Sequence, residues 1–201
     1  CSLLSPRYIE RALSRMELYQ GVRWDDFRDE EPAKLPHERR LNPKAAVGET
    51  NRELYYGDVV STPFWIVTLA TAYNWTGDRA LLERHFLTLE RCCTWIEQKL
   101  KEGHGLVYYS PKSKEGNPHQ AWKDSGDAIV NARGEICGPP LAAAEIQGYC
   151  YLAFIAAAEI NLALGRFQRA KYFYHEAVAL KERFNRTFWI PKENFYGVAA
   201  N

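Results

Sequence analysis

The stretch PLAAAEIQGYCYLAFIAAAEINLALGRFQRAKYFYHEAVALKERF, residues 140–184, decides the fold class. It is apolar over a long span without the in-out alternation of a strand, so it reads as helix. LGRFQRA, residues 164–170, breaks the run with a glycine and turns the chain. The expectation is two antiparallel helices. One starts at Pro139-Pro140 and runs to about Leu164, and the next ends near Phe188. Small residues in ALGRFQRAKYFYHEAVAL, residues 163–180, supply the packing seam between them.

Working outward, the same period recurs. SPRYIERALSRMELY, residues 5–19, places Tyr8, Ile9, Leu13 and Met16 at helical spacing, with Ser5 as cap and Pro6 in the first turn. A second helix is expected from about Thr62 to Trp75, apolar nearly all round and so buried on most sides. A third follows the turn TGD, with Asp78 as cap, and runs to about Leu100 on a stripe of Leu81, Leu82, Phe86, Leu89 and Ile96. Trp75, Trp95, Phe154, Tyr172 and Phe184 read most simply as core. No strand pattern persists anywhere. The fold class is therefore all-α, about five helices interrupted by two long loops. The first loop, from Gly21 to about Ser61, spans roughly 40 residues, a length that usually signals function. The second covers Lys101 to Pro140. The last two helices also resemble a tetratricopeptide-type hairpin, but no clean 34-residue repeat is present, which leaves a helical scaffold as the rival class.

Bulk properties narrow the function. With 26 basic and 25 acidic residues the formal net charge is +1, and no basic patch interleaved with aromatics appears. Nucleic-acid and anionic-membrane binding are not expected. No charge-free apolar run reaches the ~18 residues of a membrane span. Five cysteines without a CxxC pair read as free, mostly buried thiols, and a cytoplasmic setting is expected. The chain begins at Cys1 and stops at NFYGVAAN without an obvious closing helix, so it is expected to be an internal piece of a longer domain.

The second loop contains NPHQAWKDSGDAI, residues 117–129. Trp122 precedes two carboxylates, Asp124 and Asp127, separated by Ser125 and Gly126. Glycoside hydrolysis needs one carboxyl as general acid and a second as base or nucleophile. An aromatic beside the acid can pack on a sugar ring and raise the acid's pKa. The alternative is a capping box, with Asp124 as cap and Asp127 three residues on. The segment WDDFRDEEPAKLPHERR, residues 24–40, is either a solvated charge run or the rim of a sugar site. His37 has no partner at metal spacing, so no metal is expected, nor any cofactor. Tyr55 and Tyr56 could be core or sugar platforms. Glu145 and Gln147 sit in an apolar helix start, so each is either satisfied structurally or faces a polar cavity.

In order along the chain, QGVRWDDFRDEEPAKLPHE, YYGDVVSTPFW, WTGDRALLER, QAWKDSGDAI, AEIQGYCYLA and LKERFNRTFW resemble the amylo-α-1,6-glucosidase-like, bacterial glycogen-debranching-type proteins. The resemblance spans nearly all of residues 1–201. It implies part of a six-hairpin α/α barrel, with loops at one end building a pocket for an α-glucan or oligosaccharide. It implies hydrolysis of α-glucosidic bonds, such as α-1,6 branch points, by an inverting two-carboxylate mechanism whose base lies beyond Asn201. It places the general acid in the WKDSGD loop. Debranching-type relatives point to Asp124, and trehalase-like relatives point nearer Asp127. Gln120, Trp122 and Lys123 accompany the acid, while Glu30, Glu31, His37, Glu38 and Tyr56 belong to the substrate side. Glu145 and Gln147 match a polar pair on the inner ring. Two departures stand out: Val60 replaces an acid, and Ala33 replaces the glycine of DEEPGK. Neither sequence nor resemblance assigns an oligomeric state.

Overall fold

A computed structural model describes residues 6–201. The proposed cap Ser5 and the thiol of Cys1 lie outside those residues. Among the described residues the chain is mostly helical, 51% by residue, in seven α-helices and one short 3-10 turn. Helix α1 spans Pro6–Glu17, α2 Pro43–Ala46, α3 Ser61–Thr76, α4 Arg79–Arg84, α5 Phe86–Glu102, α6 Ala144–Ala163 and α7 Phe167–Phe188. The expected hairpin is α6 and α7. They pack along the small-residue seam, where Ala153, Ala157, Ala170 and Ala177 are buried and Phe154 stacks on Phe173 at 5.9 Å. On its other side α6 lies against α3, with α1 and α5 closing the core.

Gly77 ends α3 in left-handed backbone, φ 65°, and its N–H returns to the Tyr73 carbonyl. Asp78 then caps α4, its carboxylate accepting the Ala80 N–H. The third expected helix is two helices. His85 interrupts it because its ring is drawn inward, Nδ1 lying 2.6 Å from Glu17 Oε2 on α1. The start of α6 also differs from expectation. Pro139-Pro140 is a cis peptide outside the helix. Leu141 pairs with Tyr109, and strand β1, Ala142–Ala143, pairs antiparallel with β4, Ala199–Ala200. These backbone partners hold residues 141–143 extended, so helix begins only at Ala144. A second ribbon joins β2, Trp189–Ile190, to β3, Phe195–Tyr196. Such two-residue strands carry no alternation for a sequence to display.

Tyr8 points outward from α1, and Trp75, at 54% exposed, and Tyr172 lie at the surface rather than in the core. Trp95 and Phe154 are buried as expected. By length and composition α6 could cross a membrane, yet 56% of that window is buried inside this protein. Here it is a core helix.

Candidate functional site

The two long loops meet. Asp29 in the first reaches the second, its Oδ1 accepting the N–H groups of Lys112 at 2.7 Å and Ser113 at 3.1 Å. Tyr55 does the same, its hydroxyl accepting the Asn117 N–H at 2.7 Å. Glycines clear its path, since a Cβ on Gly57 would overlap the Tyr55 ring and one on Gly116 would lie 2.5 Å from its hydroxyl. Val59 N–H donates to the Gln120 carbonyl. Arg52 bridges Glu38 of its own loop and Asn117 of the other. Antiparallel helices put alternate connections at one end, which explains why segments so distant in sequence share hydrogen bonds.

Between the loops lies a cavity of about 720 Å³. The first loop contributes Trp24, Asp29, Glu30 and Glu31, and the second Tyr108, Tyr109, Lys112 and Gln120. Lys99 and Glu102 from α5 and Arg183 and Thr187 from α7 complete the wall. Gly21 lets the acidic segment approach, because a Cβ there would lie 2.2 Å from the Glu31 carbonyl oxygen. Asp29 and Glu30 are buried. Glu30 Oε1 accepts the Val22 N–H, and Glu31 Oε2 accepts the Trp95 indole N–H at 3.0 Å and lies 2.7 Å from Lys99 Nζ. Trp24 remains 61% exposed, with Lys99 Nζ 5.9 Å from its ring centre. Part of the charge run is thus not a solvated face: Asp26, Asp29, Glu30 and Glu31 line an aromatic-edged cavity, while His37, Arg39 and Arg40 at its far end are exposed.

The WKDSGD loop does not contribute its acids to that cavity. Trp122 is 75% exposed, and Lys123, Asp124 and Asp127 are exposed with it. The shielded, indole-packed setting expected for Asp124 is absent from this structure. Instead Asp124 Oδ2 accepts a long hydrogen bond, 3.4 Å, from the Asn117 amide, and Asp127 Oδ1 accepts one from the Ser125 hydroxyl. No helix follows, so the capping-box alternative is not formed either. Gln120, two residues before Trp122, is the one member of this group that reaches the cavity.

Several expected substrate residues have structural partners. Tyr55 and Tyr56 are core. The Tyr56 hydroxyl donates to the Tyr19 carbonyl at 2.7 Å, and burial drives its pKa up, as it drives that of Tyr55 to about 12. Gln147 is consumed by backbone, accepting the Val107 N–H and donating to the Val107 and Ala143 carbonyls. Glu38 is paired with Arg40 and Arg52, whose hydrogen bonds lower its pKa against the opposing effect of burial. His37 turns away from the cavity to Asp58, 2.8 Å from its Nδ1, and this hydrogen bond raises the imidazole pKa. Glu145 is part-buried, with Oε1 unpaired, and acts electrostatically on Tyr109, whose pKa burial and that charge push to about 12.

Trp24, Asp29, Lys99, Tyr109 and Arg183 are cavity residues that the sequence reading did not single out. Only Trp24 and Asp29 carried a signal, as neighbours of the DEEP acids. Lys99 and Arg183 sit on helices far away in sequence. Cys92, Cys93 and Cys150 are buried free thiols whose pKa values burial raises, while Cys137 is half-buried. Among the described residues no group of three or more His, Cys, Asp or Glu side chains is placed to hold a metal ion. No protein-family model matches this chain. No curated protein matches it.

Proposed function

We propose that this chain is the sugar-binding part of a glycoside hydrolase of the amylo-α-1,6-glucosidase type, with its helices belonging to a six-hairpin α/α barrel. The observation that carries the reading is the cavity at the junction of the two loops, where buried carboxylates, tyrosines and an exposed tryptophan converge. Such a set suits a neutral polyhydroxylated ligand: the indole packs on a ring face, while carboxylates and amide accept and donate to hydroxyls. The preferred substrate is an α-glucosidic linkage, with α-1,6 branch points of glycogen-like polymers first. Hydrolysis proceeds with one carboxyl protonating the leaving oxygen and a second activating water on the opposite face. Asp124 is assigned the first role and Asp127 the binding of a hydroxyl, although both lie outside the cavity in this structure.

The rival reading is a helical-hairpin scaffold for a protein partner. It draws on the exposed side chains of Phe64 on α3, Leu152 and Leu162 on α6, and Phe167 and Tyr174 on α7. Titration of isomaltotriose and maltotriose, followed by tryptophan fluorescence, separates the two. The enzyme reading expects saturable binding that Trp24→Ala and Glu30→Gln each weaken by about tenfold, a loss of ~1.4 kcal/mol. Absence of saturable binding, or binding indifferent to both substitutions, would sink it.

A further inference from the structure

Lys34 lies one layer behind the acids of the cavity. It is 1% exposed and does not border the cavity. Its Nζ donates to the Asp29 carbonyl at 3.3 Å, lies 3.7 Å from Glu31 Oε1, and stands 5.8 Å from the Trp95 ring centre. Asp58 and Lys99 are the other charged groups facing it. Burial lowers its pKa against the opposing pull of Glu31, Asp58 and Asp29. A buried ammonium is costly, and an apolar side chain of the same length would fill the space without that cost.

What the ammonium touches explains its presence. Asp29 lies in left-handed backbone, φ 54°, a conformation aspartate tolerates better than most side chains but that still benefits from partners fixing it. Its carbonyl is the lysine's acceptor, and its carboxylate holds the Lys112 and Ser113 amides of the second loop. Glu31 is shared among Lys34, Lys99 and the Trp95 indole. Without the Lys34 charge, Asp29, Glu31 and Asp58 would lose a shared counter-charge, leaving Lys99 at Glu31 and His37 at Asp58.

We propose that Lys34 is a positioning residue: its buried ammonium holds Asp29 and Glu31 in the arrangement they present to the cavity and, through Asp29, fastens the second loop to the first. The effect on ligand affinity rests on the sugar-binding reading above. The effect on the loop junction does not.

The test uses the whole chain with Lys34→Met, which keeps length and bulk but deletes the charge, and Lys34→Arg, which keeps the charge but adds bulk. Lys34→Gln replaces the methionine variant if that one does not fold. Hydrogen exchange at the Lys112 and Ser113 amides is the ligand-free readout. Lys34→Met should speed it about tenfold or more while α6 core amides keep their protection, and Lys34→Arg should keep it within a few-fold of wild type. Isomaltotriose affinity should follow the same order, falling about tenfold in Lys34→Met and partly restored in Lys34→Arg. A role in filling space predicts the reverse, because methionine fits the hole and arginine overfills it. Unchanged exchange at Lys112 and Ser113 in Lys34→Met, or greater disturbance by arginine than by methionine, overturns the proposal. If the wild-type chain binds no glucan, the sugar reading falls, and the exchange comparison still decides the part played by Lys34.

Discussion

Ala33 shows how much a single side chain can conceal. In DEEPAK it stands where the resembling motif has glycine, and as a sequence difference it reads as mild. Its backbone is left-handed, φ 69°, where a Cβ is penalised by ~1–2 kcal/mol. The strain is held in place from both sides: the Ala33 N–H donates to the Gly21 carbonyl at 2.7 Å, and its own carbonyl accepts the Gln20 amide. Ala33→Gly should therefore stabilise the protein. The gain is reduced by the extra freedom of glycine in the unfolded chain, ~0.4–1 kcal/mol, leaving about 0.5 kcal/mol net. Urea denaturation would reveal it as a higher midpoint. A lower midpoint would mean that the methyl group's packing outweighs the strain.

The start of α3 shows an element docked through side chains rather than through its own cap. Val60 at the cap position makes no side-chain bond. Asp58 substitutes for it, accepting the Ser61 N–H and hydroxyl while holding His37, and Thr62 Oγ1 accepts the Leu35 N–H. The His37–Asp58 contact ties stability to pH. The folded-state pKa of His37 is raised above its ordinary 6.5 by the Asp58 hydrogen bond, which outweighs the lowering by burial. A raised histidine pKa contributes stability that is complete below the unfolded value and lost as pH rises through the folded one. Unfolding free energy should thus decline as pH climbs from about 6.5 through the raised pKa of His37. Asp58→Asn should flatten that slope. An equal slope in the variant would assign the pH dependence to another group. Gln147 does comparable work for α6, clamping both backbone groups of Val107. A polar residue at an apolar helix start signalled that something needed satisfying, and in this structure its partners are backbone groups.

The molecule as a whole brings its two loops together but splits the expected site between them. The cavity gathers the DEEP acids with Gln120, whereas Asp124 and Asp127 remain exposed on the outer part of their loop. Two-carboxylate hydrolysis requires both groups at one glycosidic bond, and losing one partner typically costs orders of magnitude in rate. The 201-residue chain should bind α-glucans yet turn over maltose, isomaltose or a limit dextrin negligibly. Reducing-sugar release well above the uncatalysed rate would show that the cavity acids already suffice, and Glu30→Gln and Glu31→Gln would then identify the pair.

Residues 140–184 specified a helical hairpin without help, because apolar periodicity and a glycine-bearing turn are local properties of the chain. The same holds for α3, for the Asp78 cap and for the buried thiols. The long first loop and the acids of DEEPAK were also legible as features that need an explanation. Their neighbours were not. Whether an acid faces water, a lysine or a cavity depends on what arrives from elsewhere. Lys99 and Arg183 reach the cavity from α5 and α7, and Tyr55 reaches Asn117 across 62 positions of sequence. Burial separated Tyr55 and Tyr56, which became core, from Trp24, which stayed at the cavity edge. It also left Trp122 and Asp124 in solvent. Periodicity records which face of an element turns inward, but it carries no record of which other element lies there, and a site is made from that second kind of information.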